Sequence, residues 1–146
     1  MRTVKFGIIG CGLMGREFAS AAARWCHLAE MDVRPEVIAV CDTNPALSGW
    51  FAERFTSIRQ VTADYLALLA NPEVEAVYIA VPHNLHAEFI CAAIAAGKHV
   101  MGEKPFGMDL AANLQIQAAL DKHPEVFVRC SSESPFFPAV QRIGRM

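Results

Sequence analysis

The sequence has no block of like charge. Its 13 Lys and Arg are balanced by 15 Asp and Glu in 146 residues, giving a formal net charge of −2, and no basic run stands out. That excludes the electrostatic footprint of a nucleic-acid binder and of a protein held on an anionic membrane. No apolar run reaches the roughly 18 residues that would suggest a membrane span. The N-terminal apolar stretch is short, broken by glycines and followed by Arg16 and Glu17, so it does not read as a signal peptide. Cysteine pairs are also missing. The five cysteines, at 11, 26, 41, 91 and 130, are odd in number and include no CxxC. They read as reduced thiols used as small apolar residues, which predicts a cytoplasmic setting and no metal site. There is no internal repeat and no low-complexity segment.

What is present is a globular composition, 53% hydrophobic and 19% charged, of a length that fits one domain. Short apolar segments alternate with helical ones. Strands are predicted at 4–9, 37–41, 59–61, 76–80, 98–101 and 125–129. Helices are predicted from 13 to about 27, 45 to about 55, 63–69, 84–96, 109 to about 121, and from 135 onward. Asn44 or Thr43 is placed to cap the second helix, with Pro45 in its first turn. Asn84 is expected to cap the fourth, with Leu85, Phe89, Ala92 and Ala93 on its apolar face and Gly97 at its end. Residues 29–36, with Pro35, read as an exposed loop. His99 reads as a core residue, and His27 and His123 as surface ones.

Several of the strands are apolar throughout instead of alternating, as in a parallel sheet covered on both faces. The fold class is therefore α/β, a doubly wound parallel sheet in the order 3-2-1-4-5-6, with a ligand crevice between strands 1 and 4.

The first strand runs into Gly10-x-Gly12-x-x-Gly15 and then a helix, the context in which this spacing signals a dinucleotide site. Gly10 permits the tight turn, Gly12 lets the backbone approach a pyrophosphate, and Gly15 lets helix pack on strand. The amides of Leu13 and Met14, with the helix dipole, favour the diphosphate. Asp42 ends the second strand, where a carboxylate accepts from ribose hydroxyls and repels a 2′-phosphate. With Thr43 and Asn44 supplying no positive charge, NAD is favoured over NADP.

Two further blocks carry the most specific signal: 80–88, AVPHNLHAE, and 96–105, AGKHVMGEKP. With the glycine turn and Asp42 they resemble the glucose–fructose oxidoreductase/inositol dehydrogenase (Gfo/Idh/MocA) family, from residue 4 to about 129. The resemblance implies an NAD(P)-binding Rossmann domain, residues 1–130, of a two-domain oxidoreductase acting on sugars, inositols or related hydroxyl compounds. It implies that Lys104 lies near the nicotinamide and the reacting oxygen, where an ammonium stabilises a developing alkoxide. It further implies that Glu103 meets the nicotinamide-side ribose, that Pro82 and Asn84 line the cofactor, and that His86 contacts it. Pro105 would hold the turn, through a peptide bond that is often cis in the family.

The family's substrate pocket, and usually an acid/base histidine, lie in a second domain. Residues 131–138 resemble the crossover into it, although Ser132-Glu133-Ser134 departs from the usual asparagine–arginine type of sequence. The expectation is an N-terminal piece of a longer protein, able to bind a dinucleotide but not to turn over efficiently, with the full-length protein a homo-oligomer. A non-catalytic dinucleotide sensor of the same fold is the alternative. The intact Glu103-Lys104-Pro105 favours the enzyme.

Overall fold

A computed structural model describes residues 1–132, 135 and 137–145, with the side chain of 139 left aside. The elements run β1 (Arg2–Ile9), α1 (Leu13–Ala23), β2 (Val33–Cys41), α2 (Pro45–Arg54), β3 (Gln60–Thr62), α3 (Tyr65–Leu69), β4 (Ala76–Ile79), α4 (His86–Ala95), β5 (His99–Glu103), α5 (Leu110–Leu120), β6 (Val128–Ser131) and α6 (Pro138–Ile143). The six strands form one sheet in the order β3-β2-β1-β4-β5-β6, and every pairing is parallel. The doubly wound order expected from the strand–helix alternation is therefore the one observed.

The apolar strands are buried on both faces. Ile8, Val37, Val40 and Tyr78 pack with Ala19, Ala22 and Phe51 of α1 and α2. Ile9, Ile38, Val77 and Ile79 pack on the other face with Leu68, Ile90, Ala93, Ile94 and Ile116 of α3, α4 and α5. Each large side chain buried in this way contributes roughly 1.5–3 kcal/mol. The caps are largely those the sequence suggests. Asn44 accepts from Ala46 N at the start of α2, and Asp109 accepts from Ala112 N at the start of α5. Gly97, at φ +69°, follows α4.

Several local expectations are corrected. Helix α1 stops at Ala23, and a separate 3₁₀ turn covers Trp25–His27. Residues 33–36 are not loop but the first half of β2, paired with Arg2–Lys5 of β1. Pro35 is tolerated there because β3 pairs only with Ala39–Cys41, so this stretch is an edge and its missing N–H costs no ladder bond. Strand β6 begins at Val128, three residues later than expected. His99 is exposed rather than core, and its Nδ1 accepts from Phe127 N at 3.0 Å. Asn84 does not cap α4. It lies inside a 3₁₀ turn, His83–Leu85, and α4 has no side-chain cap. The fully buried face of α4 is His86, Ile90, Ala93 and Ile94, which shares only Ala93 with the expected stripe. In the final expected helix, α6 covers Pro138–Ile143, while residues 133, 134, 136 and 146 lie outside the described residues.

Candidate functional site

Helices lie on opposite faces of the sheet on the two sides of β1 and β4, so a crevice opens beyond their carboxyl ends. Ala80 N donates to Ile9 O at 2.8 Å and Gly10 N to Cys41 O at 2.9 Å, holding the ends of β4, β1 and β2 in line. The glycine turn sits at this point.

Each of the three glycines has a different physical reason. Gly10 is at φ +98°, and a Cβ there would stand 2.3 Å from Ala80 O. A Cβ on Gly15 would stand 2.2 Å from Gly10 O. Both must therefore be glycine for the turn to lie on β4 and for α1 to lie on the turn. Gly12 is different: nothing lies within 4 Å of a Cβ built on it. The space it leaves is open to the crevice, which is what a backbone approached by a ligand requires. The α1 ladder starts with Arg16 N donating to Gly12 O, and α1 has neither a side-chain cap nor an acidic residue in its first turn. The amides of Leu13, Met14 and Gly15 precede that first bond, and the dipole of α1 adds to their pull on an anion.

Asp42 stands across the turn. Its Oδ2 accepts from Cys11 N at 2.8 Å and its Oδ1 accepts from Asn44 N at 2.8 Å. The carboxylate is thus pinned between the glycine turn and the α2 loop, and each oxygen retains a second lone pair. A cavity of about 400 Å³ adjoins it, lined by Gly10, Gly12, Asp42, Thr43, Tyr65, Val81, Pro82, Leu85 and Phe89 among others, with no Lys or Arg in its wall. Tyr65 and Phe89 stack there with ring centroids 4.1 Å apart.

The other end of the crevice is built by the loops after β4 and β5. A small cavity of about 70 Å³ is lined by Met14, Ala80, Val81, His83, His86, Glu103 and Lys104. Glu103 is buried. Its Oε1 accepts from Tyr78 Oη at 2.5 Å and its Oε2 from Lys104 N at 3.2 Å. Burial, reinforced by the Glu103 carboxylate, pushes the Tyr78 phenol well above its ordinary range, so it stays protonated and donates. The Lys104–Pro105 peptide is cis. Lys104 is exposed, and among the described residues no ion pair or side-chain hydrogen bond holds its ammonium. Pro82, Asn84 and Pro105 are also exposed. A larger cavity, about 470 Å³, lies on the α1 side of β5 and β6 and shares Met14 and Glu103 with the small one.

Of the expected residues, Gly10, Gly12, Asp42 and Pro82 line the cavity at one end, and Met14, Glu103 and Lys104 line the small cavity at the other. His86, expected as a cofactor contact, lies in the wall of the small cavity. It has no exposed surface, and both ring nitrogens face backbone carbonyls, Nδ1 at 2.7 Å from Pro105 O and Nε2 at 3.0 Å from Val81 O. Sequence reasoning missed Tyr78, whose hydroxyl sets the Glu103 carboxylate. Pairing β4 with β5 in register would have found it, since Tyr78 lies opposite Met101, two residues before Glu103. It also missed Lys98, whose Nζ donates to Asn71 O and Val74 O at 2.8 Å each and ties the α3–β4 loop down. Among the described residues no group of three or more His, Cys, Asp or Glu is placed to hold a metal, and no helix is long and apolar enough to cross a membrane.

Comparison with known proteins agrees with this geometry. The model of the Gfo/Idh/MocA oxidoreductases, described as an NAD-binding Rossmann fold, matches residues 4–130. The chain is 35% identical over 138 residues to an inositol 2-dehydrogenase of Acidothermus cellulolyticus, covering 94% of this chain and 38% of that protein. It is similar, at a TM-score of 0.84 and 25% identity, to scyllo-inositol dehydrogenase from Lactobacillus casei with bound NAD(H) and scyllo-inositol, covering 99% of this chain and 40% of that one. It is also similar, at a TM-score of 0.81 and 28% identity, to a mutant 3-ketoreductase from Actinomadura kijaniata in complex with TDP-benzene and NADP, covering 99% and 43%. The chain thus spans 38–43% of the length of these relatives.

Proposed function

Because the chain belongs to the Gfo/Idh/MocA family of oxidoreductases, we propose that it is the cofactor half of an NAD-dependent enzyme acting on a CH–OH group of a sugar, inositol or related polyol. Residues 1–130 are the dinucleotide domain and 131–146 open the crossover into a substrate domain. The observation that carries the reading is the crevice itself: an open Gly12 between two glycines that must be glycine, a pinned Asp42 at one end and an exposed Lys104 at the other.

The residues fit a dinucleotide. The amides of Leu13 and Met14 take the diphosphate. Asp42 keeps lone pairs for the adenosine ribose hydroxyls, and its charge, with no cation in the adjoining cavity, favours NAD over NADP. Pro82 and Asn84 border the cofactor beyond β4. Glu103, set by Tyr78, faces the nicotinamide-side ribose, and Pro105 holds the turn that carries Lys104. The nicotinamide, when bound, supplies the hydride acceptor or donor. Lys104 orients the substrate oxygen and stabilises the alkoxide charge that develops as the hydroxyl proton leaves. The hydroxyl proton goes to a group outside residues 1–146. The five free cysteines support a reducing, cytoplasmic setting, and a homo-oligomer is proposed for the longer protein.

The test is Lys104→Ala in the protein carrying its substrate domain. Turnover should fall by at least about a hundredfold, the scale of losing one donor to a developing oxyanion, with NAD affinity nearly intact. Unchanged turnover would remove Lys104 from the chemistry.

A further inference from the structure

We propose that His86 is a positioning residue whose buried ring ties the loop after β4 to the loop after β5 and thereby sets the nicotinamide end of the crevice. The proposal rests on the reading of that crevice as an NAD site. The ring is buried, and it acts through the two carbonyls it faces.

The two partners are what make this more than a core histidine. Nε2 faces Val81 O at 3.0 Å and Nδ1 faces Pro105 O at 2.7 Å, so one side chain spans segments 24 residues apart in sequence. Val81 lines both the 400 Å³ cavity and the 70 Å³ one. Pro105 directly follows Lys104, which lines the smaller cavity with His86, Glu103 and Met14. His86 therefore fixes the width of the small cavity from behind, and with it the position of the Lys104 backbone. Glu103 is already held independently by Tyr78; Lys104, whose ammonium has no partner among the described residues, depends on its backbone for placement. Among the described residues, the hydrogen bonds of the glycine turn and Asp42 run through Cys11, Cys41 and Asn44 and not through the ring. The clamp thus acts on one half of the ligand and not on the other.

That asymmetry gives a readout which general destabilisation does not move. NADH and ADP-ribose share adenosine, diphosphate and the second ribose, and differ in the nicotinamide. Both are titrated into this chain by calorimetry, for wild type, His86→Leu and His86→Asn, with folding checked by thermal melting. Leu fills space without hydrogen bonds. Asn keeps a donor near Nδ1, on the Pro105 side.

Wild type should bind NADH more tightly than ADP-ribose by about fivefold or more, the scale of one or two fixed contacts. In His86→Leu the preference should fall below about twofold while ADP-ribose affinity holds, and His86→Asn should restore part of it. Retention of the wild-type preference in His86→Leu, or in His86→Asn if the Leu variant does not fold, with no gain or loss between variants, would overturn the clamp. A parallel loss of both affinities would overturn it too, marking His86 as merely structural. If wild type binds neither ligand, the NAD reading itself falls and the clamp with it.

Discussion

Adding one methyl group at Gly12 should abolish cofactor binding and leave the fold almost untouched, whereas the same methyl at Gly15 should do harm to the fold. At Gly12 the backbone is extended at a negative φ, φ −69° and ψ −156°, so no left-handed conformation demands glycine, and a Cβ meets nothing within 4 Å. Alanine is a poorer helix N-cap than glycine by up to about 1 kcal/mol, but it also restricts the unfolded chain, a gain of about 0.4–1 kcal/mol. The two terms nearly cancel, so the melting temperature of Gly12→Ala should stay within about 3 °C of wild type. The methyl group then occupies the space a diphosphate must approach, and NADH affinity should fall by at least about tenfold, or about 1.4 kcal/mol. At Gly15 the Cβ would lie 2.2 Å from Gly10 O and 3.2 Å from Ile8 Cγ2. Neither the turn nor the strand can retreat cheaply, and overpacking of this kind costs about 1–3 kcal/mol, a fall of roughly 3–10 °C. Thermal melts by circular dichroism and NADH titrations on both variants read the two effects separately. Wild-type affinity in Gly12→Ala would show that no diphosphate approaches there. A melt lowered by about 10 °C in that variant would show that the space is not open, and either result refutes the reasoning.

Thiol chemistry and acid stability give further expectations. Burial, with the Asp42 charge adding to it, pushes the Cys11 thiol up to about 12 and the Cys41 thiol up to about 11, while Cys26 is exposed. An alkylating reagent at neutral pH should label Cys26 first and leave Cys11 and Cys41 unmodified until the chain unfolds, as peptide mapping would reveal. Early labelling of Cys11 would contradict the packing of the glycine turn. The Lys5 backbone N–H, then Arg2, hold the Glu75 carboxyl below its ordinary range. A carboxyl lowered by folding stabilises above its unfolded value of about 4.5 and loses that contribution as pH falls. Urea unfolding should therefore show stability dropping from about pH 5 to pH 3, with a shallower drop in Glu75→Gln; an identical slope would remove Glu75 from the account.

The sheet order and the crevice were legible in the sequence because their signals are local. Apolar strands, a glycine turn between a strand and a helix, and Asp42 at the end of the next strand each depend on residues close together in the chain. The misreadings share an opposite cause. Pro35 reads as a loop because proline lacks a ladder donor, and only the shortness of β3 makes that donor unnecessary. Asn84 looks like a cap because its type suits one, but the chain turns through a 3₁₀ segment before α4 begins. His99 looks internal within an apolar strand, yet it sits at the strand's exposed start. The roles of Tyr78 and Lys98 depend on partners 24–27 residues away, and that of His86 on one 19 residues away as well as on Val81, and no spacing rule along the chain reveals them. The glycine turn, Asp42 and the Glu103-Lys104-Pro105 segment were readable, while the bonds that hold them in place were not.

The central claim is that this crevice holds NAD with Asp42 against the adenosine ribose. The most direct measurement is calorimetry of the chain with NAD and NADP, repeated on Asp42→Asn, which keeps the shape and removes the charge. The account predicts saturable binding of NAD tighter than about 1 mM, weaker binding of NADP, and a preference that narrows by about tenfold or more in the variant. No heat with NAD at millimolar concentration, or an unchanged NAD-to-NADP ratio in Asp42→Asn, would contradict it.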